Sequence, residues 1–140
     1  MTRRVATPAG TLVLDSEGLA KAVRRDRELT SWLALALADD LRVIVSAVTL
    51  VEVMHPGINR AALDWTVSRL VIEPVTEVLA REAAALLAET RRDGHQHAID
   101  ALVCATALAA PGPVTVLTSD PDDLLVLANH SGKRLIITPI

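Results

Sequence analysis

Short apolar runs bounded by turn residues alternate along the chain with longer segments whose apolar positions recur every three to four residues. Thr11-Leu12-Val13-Leu14-Asp15 reads as a buried strand that closes on an acid. Leu19 and Val23, four apart, give a helix over 17–25 one apolar face. A second helix is expected over 29–39, with Thr30 or Ser31 available as its cap. Arg42–Val45 is a second β-rich run, after which Ser46 caps a helix carrying Val48, Val51 and Glu52, stopped by Pro56-Gly57. Asn59 opens a further helix to about Arg69, and Leu70–Pro74 is a third strand. Helices over 76–92 and 96–109 follow, the second ended by Pro111-Gly112-Pro113. A clean apolar strand, Val114–Thr118, a helix over 121–131 and a last strand, Arg134–Thr138, complete the pattern.

Strands separated by helices in this way predict a mostly parallel sheet covered on both faces, an α/β/α sandwich in three layers. The 140 residues fit one domain spanning 1–140, with 1–10 expected as a loosely ordered lead. A hydrophobic share of 51%, much of it Ala, Leu and Val, suits helices packed against a sheet buried on both sides. No apolar run reaches the roughly 18–20 residues that a membrane span needs. Asp15 and Glu17 interrupt the apolar stretch after the first arginines, so no signal peptide is expected. Cys104 is the single cysteine and sits in an Ala-rich helical stretch. An inert buried thiol in a reducing cytoplasm is the expectation.

Charge and aromatic content narrow the function. The net charge of −3 argues against coating nucleic acid wholesale, but leaves room for a local basic rim. Arg3, Arg4, Arg24, Arg25 and Arg27 form the densest basic zone, with Arg60 further on. They read equally as a solvated face or as an RNA-backbone rim. With no Phe or Tyr, recognition by stacking bases on an aromatic platform is disfavoured. Trp32 and Trp65, both in apolar helices, read as core or subunit contacts. Zinc-finger, dinucleotide and P-loop patterns are missing from the sequence.

The acids carry the chemistry. In an open parallel sheet, ligands bind outside the carboxyl ends of the strands. Asp15 ends the first strand, and Asp120 follows the Val114–Thr118 strand after two hydroxyl residues. Glu52 and Asp100 each interrupt an otherwise apolar helical stretch, where a carboxylate is costly to bury unless its charge is neutralised. Four such groups aimed at one sheet edge call for a shared cation. Carboxylates are hard oxygen ligands, suited to Mg²⁺ or Mn²⁺ rather than zinc. One or two such ions would lower a water's pKa and neutralise an in-line phosphodiester transition state. Asp15, Asp100 and Asp120 are the expected ligands, and Glu52 ligates or orients the attacking water. Asp122 and Asp123 also suit the dipole of the helix they open, and Ser119-Asp120-Pro121 is an ordinary helix start. His95 and His97 read first as a cap or surface pair. Thr118 and Ser119 are open to bonding an acid, a phosphate or the local backbone.

Val13-Leu14-Asp15-Ser16, the helix bearing Glu52, His97-Ala98-Ile99-Asp100-Ala101-Leu102-Val103 and Leu117-Thr118-Ser119-Asp120-Pro121-Asp122-Asp123-Leu124 resemble the four acidic blocks of PIN domains in order and spacing. The likeness runs from about Thr11 to Ile137, and its last block resembles the bacterial VapC-type toxin branch. The resemblance implies an endoribonuclease dependent on Mg²⁺ or Mn²⁺, usually dimeric, leaving 5′-phosphate and 3′-hydroxyl ends. It implies silencing by a VapB-type antitoxin. Asp15, Glu52, Asp100 and Asp120 would be the conserved acids, with Asp123 as an auxiliary. His97 departs from the pattern where an acid is expected, and Met54-His55 departs where tryptophan-arginine is expected. A non-catalytic PIN-like module that binds RNA or protein is the alternative. A phosphoacceptor receiver domain is a more distant one, because it should carry adjacent acids after its first strand and a lysine after its last.

Overall fold

The structure, a computed structural model, describes residues 9–140. The expected lead at the start of the chain, with Arg3 and Arg4, lies outside these residues except for its last two positions, and Gly10 already belongs to a strand. Five strands form one sheet: β1 (Gly10–Leu14), β2 (Leu41–Ser46), β3 (Val71–Glu73), β4 (Val114–Thr118) and β5 (Leu135–Pro139). Their order is β3-β2-β1-β4-β5, and every pairing is parallel. Seven helices connect them among the described residues: α1 (Ser16–Val23), α2 (Arg27–Ala38), α3 (Ala47–Glu52), α4 (Arg60–Val67), α5 (Glu77–Thr90), α6 (Gly94–Ala109) and α7 (Pro121–Asn129). The three-layer α/β/α sandwich is the architecture observed.

The period of two along each strand sorts side chains to the two faces. Leu12 and Leu14 of β1, Val45 of β2 and Leu117 of β4 pack with Ala22 of α1 and with Leu29 and Ala36 of α2. Val13, Ile44 and Val116, from the same three strands, face the other way onto α5, α6 and α7. None of these strand side chains is more than 1% exposed. Being apolar on both faces is what a central parallel strand requires. A third cluster, Leu19, Val23, Val53 and Leu63, ties α1 to α4 and to the chain just after α3. No helix of the described residues is long and apolar enough to cross a membrane.

Two caps follow the sequence reading: Ser46 and Asn59 accept from the first turns of α3 and α4, and Thr76 does the same for α5. Two boundaries differ. The cap of α2 is neither Thr30 nor Ser31 but Asp26, whose carboxylate accepts from the amides of Glu28 and Leu29. Thr30 donates its hydroxyl back to the Asp26 carbonyl inside the first turn. Helix α3 ends at Glu52, well before Pro56-Gly57, because Val53 turns into the third core cluster and is 5% exposed. Trp65 also differs. Trp32 packs against the core, but Trp65 is 52% exposed.

Candidate metal centre

Strand order fixes where a site can form. From β1 the chain steps outward to β2 and β3, then returns to place β4 on the other side of β1. The order reverses between β1 and β4, and a crevice opens outside their carboxyl ends. Asp15 follows β1 directly, and Asp120 follows β4 after Ser119. Asp15 is the N-cap of α1. Its Oδ1 accepts from the Gly18 amide at 2.8 Å and its Oδ2 from the Ser119 amide at 3.1 Å. The carboxylate is thereby stitched across the crevice to the residue next to Asp120. Asp120 occupies the N-cap position of α7, yet its carboxylate makes no capping bond, and its amide donates to Thr118 Oγ1 at 2.9 Å. So the hydroxyl of Thr118 takes the local backbone bond, and Ser119 contributes its main chain to Asp15.

Asp100 stands in the second turn of α6, half-buried. Burial holds its carboxyl above the ordinary carboxylate range; the charges of Asp120, Asp123 and Glu52 push it further up, while His97 acts in the opposite sense. Three acids acting on one carboxyl bring Glu52, Asp100, Asp120 and Asp123 within electrostatic reach of a single point. Asp15 is not among the charges acting on Asp100, and joins the group through Ser119. Glu52 lies at the exposed end of α3, beside a Val51 that is 74% exposed, so the apolar neighbours read from sequence do not bury it.

Two residues at this site were not among the ligands expected from sequence. Arg92, between α5 and α6, pairs through Nη1 with Asp123 Oδ1 at 2.9 Å. His97 places Nδ1 3.8 Å from Asp100 Oδ2, and single donor atoms of His97, Asp100 and Asp123 all lie within 4.8 Å of one another. That Nδ1 is shielded from solvent and has no hydrogen-bond partner among the described residues. The spacing of His97 and Asp100, three apart on one helical side, was the available signal. The bond to Arg92 left none, because its partner is 31 positions away.

The donors gathered here are carboxylate oxygens and one imidazole nitrogen. A dry, unpartnered ring nitrogen beside clustered carboxylates fits a divalent cation. Cys104, one turn beyond Asp100, has its thiol pushed up to about 12, first by burial and then by Asp100. It stays protonated near neutrality and is no ligand. Lys133 donates to the carbonyls of Leu108 and Ala110 at the end of α6. That lysine serves a helix terminus, not the carboxylates, which removes the group a receiver domain needs.

None of these acids lines a groove of about 820 Å³ on the α1–α2–α4 side. Leu33 and Leu37 contribute to its apolar wall, with Arg25, Arg42 and Arg69 around it. Trp65 lies in the same wall, with the guanidinium groups of Arg25 and Arg69 over its ring, 5.3 and 4.9 Å from the centroid. The basic zone noted in the sequence is thus divided. Arg24 pairs with Glu17 on the surface, and Arg25 turns to the groove.

Comparison with known proteins bears on both regions. The family model described as PIN domain matches residues 12–128. No curated protein matches the chain. Among solved structures, the chain resembles one from the crystal structure of VapBC2 from Rickettsia felis bound to a DNA fragment from their promoter. The TM-score is 0.68 at 19% identity, covering 93% of this chain and 98% of that one.

Proposed function

The chain belongs to the PIN domain family, and from that premise we propose that it is a metal-dependent endoribonuclease, the toxin of a VapBC-type toxin–antitoxin pair. The observation that carries the reading is the gathering of acids at the sheet's switch point, where Asp100 and Asp123 offer donor atoms within 4.8 Å and Asp15 accepts from the Ser119 amide beside Asp120. Asp15, Asp100 and Asp120 would hold the ion, with Glu52 at the rim as a further ligand or as the group that orients water. A bound Mg²⁺ or Mn²⁺ supplies Lewis acidity to the attacking water and neutralises charge on the phosphodiester. The two amides on Asp15 hold its carboxylate in place. Arg92, beside Asp123, offers a cation at the edge of an otherwise acidic crevice, where an RNA phosphate must approach.

RNA cleavage is expected with Mg²⁺ or Mn²⁺ and is expected to stop in EDTA, read on a labelled RNA of mixed sequence. RNA bound but uncut at every metal concentration would leave only a binding module. Cleavage undiminished by EDTA would end the proposal.

The groove suits the antitoxin. Its apolar wall calls for buried aliphatic anchors, and Arg25 and Arg69 call for acidic groups beside them. A VapB-type segment carrying both is the occupant proposed. Trp65→Ala combined with Leu37→Asp should weaken binding of the cognate antitoxin by on the order of a hundredfold, since an aromatic anchor and its apolar surround are lost together. RNA cleavage by the free variant should be unchanged. If the antitoxin bound as before while a dimer of this chain fell apart, the groove would belong to a second copy.

A further inference from the structure

Sequence alone reads His97 first as a cap or surface residue three positions before Asp100, and its surroundings argue for more. The side chain is 22% exposed, comparable to Asp100 at 28%. Its Nδ1 is dry and has no partner among the described residues, an unfavourable state for a ring nitrogen unless something else takes its lone pair. The nearest acid oxygen, Asp100 Oδ2, is 3.8 Å away, too far for a hydrogen bond. Two ligand atoms each about 2.1 Å from one ion lie roughly 3 Å apart if adjacent and roughly 4.2 Å apart if opposite. The observed gap falls inside that span. Asp123 lies within the same small volume, and pairing its Oδ1 with Arg92 leaves it a second oxygen.

We propose that His97 is a ligand of this centre through Nδ1, and that this nitrogen makes the site select a transition ion of the Mn²⁺ type over Mg²⁺. The inference rests on the metal-dependent reading above and deepens it. Mg²⁺ seeks oxygen ligands and keeps much of its water, whereas the later first-row dications accept imidazole readily. The ring would bind as the tautomer protonated on Nε2. His95 is the internal control, because it is exposed two positions earlier on the same helix.

The test is made on the whole protein with Mn²⁺ as the probe. Pulsed electron paramagnetic resonance should show a ¹⁴N coupling from one imidazole. It should vanish in His97→Ala and persist in His95→Ala, with circular dichroism reporting the fold of each. Competition titrations should show Mn²⁺ bound on the order of tenfold or more tighter than Mg²⁺, and His97→Asp, which restores an all-oxygen set, should cut that ratio towards parity. If His97→Ala fails to fold, His97→Asp carries the same two readouts. Bound Mn²⁺ without nitrogen coupling, or a preference unchanged in His97→Asp, overturns the inference alone, provided Asp100→Asn still abolishes binding. A protein that binds neither ion fails both this inference and the metal-dependent reading.

Discussion

Asp100→Asn should lower RNA cleavage by on the order of a hundred- to a thousandfold, and the same protein in EDTA should melt at a higher temperature than the parent. The two effects share one cause. Without an ion, the Asp100 carboxylate is held against burial and against the charges of Asp120, Asp123 and Glu52, so its ionised form opposes folding. A carboxyl raised in the folded state binds more protons there than in the unfolded chain. Stability in EDTA should therefore rise as the pH falls from neutrality through the raised folded value of Asp100, and level off below its ordinary unfolded value. The amide removes that slope. Adding Mn²⁺ should reverse the order of stabilities, because the ion stabilises only a chain that binds it. Thermal melts of both proteins with EDTA and with Mn²⁺, beside a cleavage assay, make the check. An Asp100→Asn protein that cuts at the parental rate would show that the acids are gathered for some other purpose.

How much of this was legible beforehand depends on the range of the interaction. Strands β1, β2 and β4 were readable because their side chains are apolar on both faces and their runs are short. Ser46 and Asn59 were readable because a cap and its target amide lie two or three residues apart. Asp26 was overlooked in favour of Thr30, since both are good capping types, and what decides between them is the turn at Arg25, whose φ is +56°. Topology alone assigned Asp15 and Asp120 to one sheet edge, and Glu52 and Asp100 stood out only as acids in apolar helical stretches. Their environments were not legible. Glu52 lies on a solvated helix end because Val53, rather than Pro56, terminates α3 against the core. Helical spacing sets His97 beside Asp100, but that Asp123 of α7 joins them is a tertiary fact that no helical period contains. Trp65 looked like core or a subunit contact because its neighbours in sequence are apolar, and α4 turns it outward with Arg25 and Arg69 over its ring.

Asp15 is the residue where structural and chemical roles overlap most, and substitution should separate them. It caps α1 through Gly18 and also holds the β4–α7 turn through the Ser119 amide. Asp15→Ala removes both bonds and should cost about 1–2 kcal/mol in urea unfolding, the usual effect of a lost cap with a second amide left to water. Asp15→Asn keeps an oxygen for Gly18 but sets an NH₂ against the Ser119 N–H, donor facing donor. Its stability should fall between that of Asp15→Ala and the parent. Cleavage should not follow that order. If the carboxylate serves the reaction by its charge, both variants should lose on the order of a hundredfold or more at saturating Mn²⁺, regardless of how much fold each retains. If activity instead tracked stability, with Asn cutting nearly as well as Asp, then Asp15 would be a hinge between two loops. The centre would then have to be built from Asp100, Asp120 and their neighbours on α6 and α7.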